Sequence, residues 1–70
     1  MSKITPIDRL FITVMQKGMT QLFTELTGIN SFTDVVNYLR LRLPGLSGMT
    51  TIDIRNFSEG WSVRQSVLLR

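Results

Sequence analysis

The segment from Ile7 to Leu26 constrains this chain more than any other. Its apolar residues are Ile7, Leu10, Phe11, Ile12, Val14, Met15, Met19, Leu22, Phe23 and Leu26. Wound as a helix at about 100° per residue, they fill an arc of roughly 200°, whereas one core-facing stripe needs only a little over about 100°. A short chain has little else with which to cover that arc, so the segment implies a partner, most simply a second copy. Start and stop signals suit a helix: Thr5 as N-cap, Pro6 at the first helical position, Asp8 in the first turn, and Gly28 just past the end. Gly18 falls mid-helix, at a cost of about 1 kcal/mol against Ala. It reads either as a close helix–helix contact or as a tolerated exposed position. The polar side carries Arg9, Thr13, Gln16, Lys17, Thr20, Gln21 and Thr24. So weakly charged a face is either a second contact surface or a neutral solvent face.

The case for association rests on size and inventory. Seventy residues make one domain, 1–70. Such a chain buries only about 60% of the surface its unfolded form exposes, and a lone core is marginal. Small domains gain support from disulfides, metals or oligomerisation. Cysteine and histidine are both absent, and the five acids, Asp8, Glu25, Asp34, Asp53 and Glu59, are scattered. Oligomerisation is the support left open. The residues are 43% hydrophobic and only 19% charged, against about 25% charged in typical soluble domains.

Beyond Gly28 the pattern is more local. Ser31 and Asp34 resemble a capping box, and Phe32, Val35, Val36, Leu39 and Leu43 follow at helical spacing. The stretch Leu39-Arg40-Leu41-Arg42-Leu43 alternates instead, as a strand does. The cap and the spacing from Phe32 to Leu39 favour a helix, which Pro44 and Gly45 end. Residues 51–55 and 61–67 then alternate around Asn56-Phe57-Ser58-Glu59-Gly60, which is turn chemistry. A four-residue loop, Phe57 to Gly60, sets Ile54 opposite Val63 and Asp53 opposite Arg64. A two-residue Glu59-Gly60 loop would set Arg55 against Arg64, an unfavourable like-charge pair. The predicted fold is therefore α+β: two N-terminal helices packed on a C-terminal antiparallel β-hairpin. A hairpin alone is not stable in water, so the sheet is expected to be extended by dimerisation.

The same inventory argues against an enzyme. General acid–base work draws on His or on carboxylates converging in a pocket, and here the nearest acids in sequence are six residues apart. Imidazole, thiolate and Asp-rich loops are missing, so no metal is expected. The glycines match no phosphate-cradling motif, so no cofactor is expected either. The N-terminal Met-Ser-Lys-Ile-Thr-Pro does not read as a signal peptide. Asp8, Arg9, Lys17 and Glu25 interrupt the first segment as a membrane span. Lack of cysteine fits a cytoplasmic location.

Two binding readings follow. The first is a small protein-interaction module or regulator, homodimeric or docked on a larger protein, with Ile12, Met15, Met19 and Phe23 plus a hairpin edge at the interface. The second is a nucleic-acid-binding protein using Arg40, Arg42, Arg55, Arg64 and Arg70, with Trp61 and Tyr38 as stacking surfaces. A net charge of +3 and a pI near 10.2 allow it. Arg outnumbers Lys six to two, which suits bidentate contacts to phosphate or bases. Ordinary solvation accounts for the same arginines, and Trp61 also suits the core.

Overall fold

The structure is a computed structural model that describes residues 9–69. The cap residues Thr5, Pro6 and Asp8 lie outside that range, as does Arg70. The elements are β1 (Leu10–Gln16), β2 (Met19–Leu26), α1 (Phe32–Arg42), β3 (Met49–Asn56) and β4 (Trp61–Leu68). They build one four-stranded antiparallel sheet in the order β2-β1-β3-β4. The fold of two helices on a hairpin is thereby corrected: the first predicted helix is a second β-hairpin. The chain also supplies four strands of its own, so closing the sheet does not call for a second copy.

The reason lies in the period. Leu10, Ile12 and Val14 are completely buried, while Phe11, Thr13 and Met15 between them are not. Apolar side chains on both faces of a strand lose the simple alternation that marks one, and on a helical projection they fill a broad arc. The turn is Lys17-Gly18, with φ of 54° and 77°. Two successive left-handed residues are the geometry of a type I′ hairpin turn, whose twist matches that of the flanking strands. Gly18 is thus a turn residue rather than a mid-helix position. A register shift follows at Val14/Met15, where Val14 faces Leu22 but Met15 faces Thr20. Gln21 is left as the extra residue of a bulge.

The rest follows the local signals. Ser31 caps α1, its Oγ accepting from the Asp34 backbone N–H at 3.3 Å, while Asp34 Oδ2 accepts from Asn30 N–H at 3.0 Å. Val35, Val36 and Leu39 turn inward. The second hairpin has the four-residue loop, with Ile54 opposite Val63 and Asp53 opposite Arg64. Asn56 closes it: Oδ1 accepts from Glu59 N–H and the backbone carbonyl accepts from Gly60 N–H.

Because β2 and β3 are each antiparallel to β1 between them, they run parallel to each other. Helix α1 is the crossover linking them. It covers one face of the sheet, and the core lies beneath it: Leu10, Ile12, Val14, Leu26, Ile29, Ile52, Ile54 and Leu69 against Val35, Val36 and Leu39. Each such side chain contributes about 1.5–3 kcal/mol on full burial. Arg40 Nε donates to the Leu69 carbonyl at 3.0 Å and ties the helix to the end of β4. Among the described residues, no helix is long and apolar enough to cross a membrane.

Candidate functional site

One helix covers one face, and among the described residues no other element lies over the opposite, open face of the sheet. Its residues follow from the pairing, since partners across a ladder share a face. One row across the strands runs Glu25, Phe11, Arg55, Ser62 and the next Phe23, Thr13, Asp53, Arg64. Below them Met15, Thr51 and Ser66 form a third.

Three aromatic rings gather at one end. Phe11 stacks on Phe23 with centroids 6.4 Å apart and meets Phe57 at 5.1 Å in a tilted contact. Such pairs contribute about 0.5–1.5 kcal/mol beyond area burial. Phe23 remains 65% exposed and Phe57 68% exposed. Met49 and Leu68, opposite each other at the other end, are also largely exposed. Clustered apolar surface like that of the three rings marks an interaction site more often than singly exposed residues do.

The centre of the face is charged. Asp53 is only 6% exposed although it points away from the core. It is covered by two arginines. Arg55 Nε donates to Asp53 Oδ1 at 3.1 Å, and Arg64 donates to Oδ2 through Nε at 3.2 Å and Nη2 at 3.1 Å. One carboxylate thus holds two guanidiniums in fixed positions, and both remain more than half exposed. At the aromatic end Arg9 pairs with Glu25. That hydrogen bond and the Glu25 charge raise the Arg9 guanidinium above its ordinary value, so it stays cationic.

The predicted site residues divide. Met15 and Phe23 lie on the open face, and Met19 begins β2 beside the first turn, 68% exposed. Ile12 is in the core with no exposed surface, so it cannot form part of an interface. Arg55 and Arg64 meet at Asp53, but Arg40 and Arg42 belong to α1 on the opposite side of the sheet. The arginines therefore do not form one surface. Trp61 and Tyr38, expected as stacking surfaces, pack against the core. The rings on the open face are instead Phe11, Phe23 and Phe57. Reading 10–15 with a period of two would have placed Phe11 and Met15 there.

The acids have local roles. Glu25 pairs with Arg9, Asp34 accepts from the Asn30 N–H just before α1, and Asp53 binds two arginines. Among the described residues, no three His, Cys, Asp or Glu gather as metal ligands would. A shallow hollow lies between the first turn and residues 45–49, with Lys17 as its charged side chain. The chemistry these groups offer is recognition by apolar contact, stacking and guanidinium hydrogen bonds. Comparison with models of known protein families, with curated proteins and with solved structures finds no match.

Proposed function

We propose that this chain is a non-enzymatic protein-interaction module that docks a partner protein on the open face of its sheet. The observation that carries this reading is the Phe11–Phe23–Phe57 cluster beside the Arg55–Asp53–Arg64 triad, on a face that no other element of the described chain covers. Protein interfaces are enriched in aromatic residues, Met and Arg and depleted in Lys and Glu. The open face has that composition. Its arginines are already ordered by Asp53, so little side-chain freedom is lost on docking. A different protein suits the face better than a second copy, because face-to-face self-association sets one surplus-positive triad against another.

Phe23→Asp and Phe57→Asp are the test. Each is expected to abolish co-purification of the partner from the source cells while leaving the circular dichroism spectrum and urea midpoint unchanged. Leu41→Asp, on the exposed side of α1, should leave both intact. Retention of the partner by both phenylalanine variants would show that the open face is not the docking surface.

A second reading has its own observation. Exposed rings next to arginines on a four-stranded sheet are also what a single-stranded nucleic acid needs, with bases on the rings and phosphates on the guanidiniums. Its support is thinner, because among the described residues Asp53 and Glu25 offset two of the three paired arginines, Arg9, Arg55 and Arg64. Salt-sensitive binding of oligo-dT or oligo-U at low ionic strength would favour it.

A further inference from the structure

From the charge arrangement on the open face, we infer that the partner presents an acidic segment with aromatic or large apolar flanks, whose carboxylate lands on Arg55 and Arg64. This rests on the docking reading above and narrows it to one partner chemistry.

Charges and donors at Asp53 are unequal. One carboxylate faces two guanidiniums, which leaves a surplus positive charge in the middle of the sheet. Arg55 uses only its Nε on Asp53, and Arg64 uses Nε and Nη2. Among the described residues, both Nη groups of Arg55 and Nη1 of Arg64 have no acceptor. Guanidinium N–H groups lie in a rigid plane and match the two oxygens of a carboxylate. Asp53 fixes where those planes stand. The free donors are thus held in place before a ligand arrives, and their preferred ligand is an oxyanion.

The flanks follow from the neighbours. Phe11 is paired with Arg55 in the register, and Phe23 shares a row with Asp53 and Arg64 through Thr13. A carboxylate seated on the arginines therefore has Phe11 one strand spacing from Arg55 and Phe23 two, each spacing being about 4.8 Å. A phosphodiester chain would bring a charge at every nucleotide, and among the described residues the ion-paired centre of this face offers one surplus cation rather than a basic track. A peptide segment with one or two acids among large apolar residues matches both the charge and the rings.

Binding of labelled random copolymers tests this directly. The full chain is titrated with poly(Glu,Tyr), poly-Glu, poly(Lys,Tyr) and oligo-dT, following fluorescence anisotropy. Poly(Glu,Tyr) is expected to bind at least about tenfold more tightly than poly-Glu, because the rings add to the ion pair. Poly(Lys,Tyr) should not bind. Arg55→Gln leaves Arg64 to hold Asp53, so the fold is kept. It should weaken poly(Glu,Tyr) binding by about three- to fivefold, the worth of one exposed ion pair. Phe23→Ser should weaken it as well. Equal affinity for poly-Glu and poly(Glu,Tyr), tighter binding of oligo-dT, or no effect of Arg55→Gln would each overturn the inference. If no acidic polymer binds but the partner still depends on Phe23 and Phe57, the acidic segment is excluded and docking stands. If that dependence is missing too, the docking reading itself fails.

Discussion

Asp53 and Arg64 stand directly opposite each other across β3 and β4, and two N–H groups of the arginine converge on a single carboxylate oxygen. The other oxygen accepts from Arg55, two residues along the same strand. This cross-strand contact pairs a nearly buried carboxylate on the face that α1 does not cover. It also fixes the register of the hairpin, because a one-residue slip would turn Asp53 into the core.

Asp53→Asn should therefore cost stability without changing the fold. The amide keeps the shape but loses charge-assisted bonds to two guanidiniums. Bonds to charged groups contribute about 1.5–3 kcal/mol each, and the half-exposed arginines lower that through solvent screening. A net loss of about 1–2 kcal/mol is expected, read as a lower urea midpoint at constant slope.

The first hairpin turn offers a gain. Lys17 holds a positive φ without the side-chain chemistry that favours one. Lys17→Asn is expected to stabilise the chain by about 0.5 kcal/mol, since Asn-Gly is the preferred type I′ pair. Gly18→Val should do the reverse and cost about 1–2 kcal/mol, because a β-branched residue is strained at positive φ. Paired thermal melts check both signs.

Within α1, the inward and outward leucines should behave differently. Leu39 is completely buried and Leu41 is 85% exposed. Leu39→Ala is expected to lose about 2–5 kcal/mol, as core truncations do. Leu41→Ala should stay within about 0.5 kcal/mol of the parent. Equal losses at the two positions would place the helix on the sheet by a different face.

The contrast between the two hairpins explains how far the sequence could be read. The second hairpin was legible because its information is local: Asn56 and Gly60 frame the turn, and like-charge avoidance between Arg55 and Arg64 selects the register. The helix was legible through Ser31, Asp34 and the spacing of Val35, Val36 and Leu39. The first hairpin was not, for three reasons. Phe11 and Met15 make the outer face of β1 as apolar as the inner one, which removes the alternation. Lys17-Gly18 lacks the Asn or Asp that advertises a type I′ turn. The bulge at Gln21 then breaks the pairing pattern between the strands.

The candidate site was half legible for the same reason. Phe23, Met15, Arg55 and Arg64 could be singled out as exposed or interacting types, but placing them on one surface required the strand order. A helix at 7–26 separates Phe23 from Arg55. A β1 strand between β2 and β3 brings their rows together. The surplus apolar surface of the first segment is therefore real, and it is the open face of a sheet rather than the far side of a helix.

Photo-crosslinking in the source cells tests the docking claim most directly. A photoreactive phenylalanine analogue is placed at Phe23, at Phe57 or at Leu41. The same discrete protein adduct, resistant to nuclease, is expected from Phe23 and Phe57, and none from Leu41. Adducts formed from Leu41 alone, or adducts from the phenylalanine positions that vanish on nuclease treatment, would contradict it.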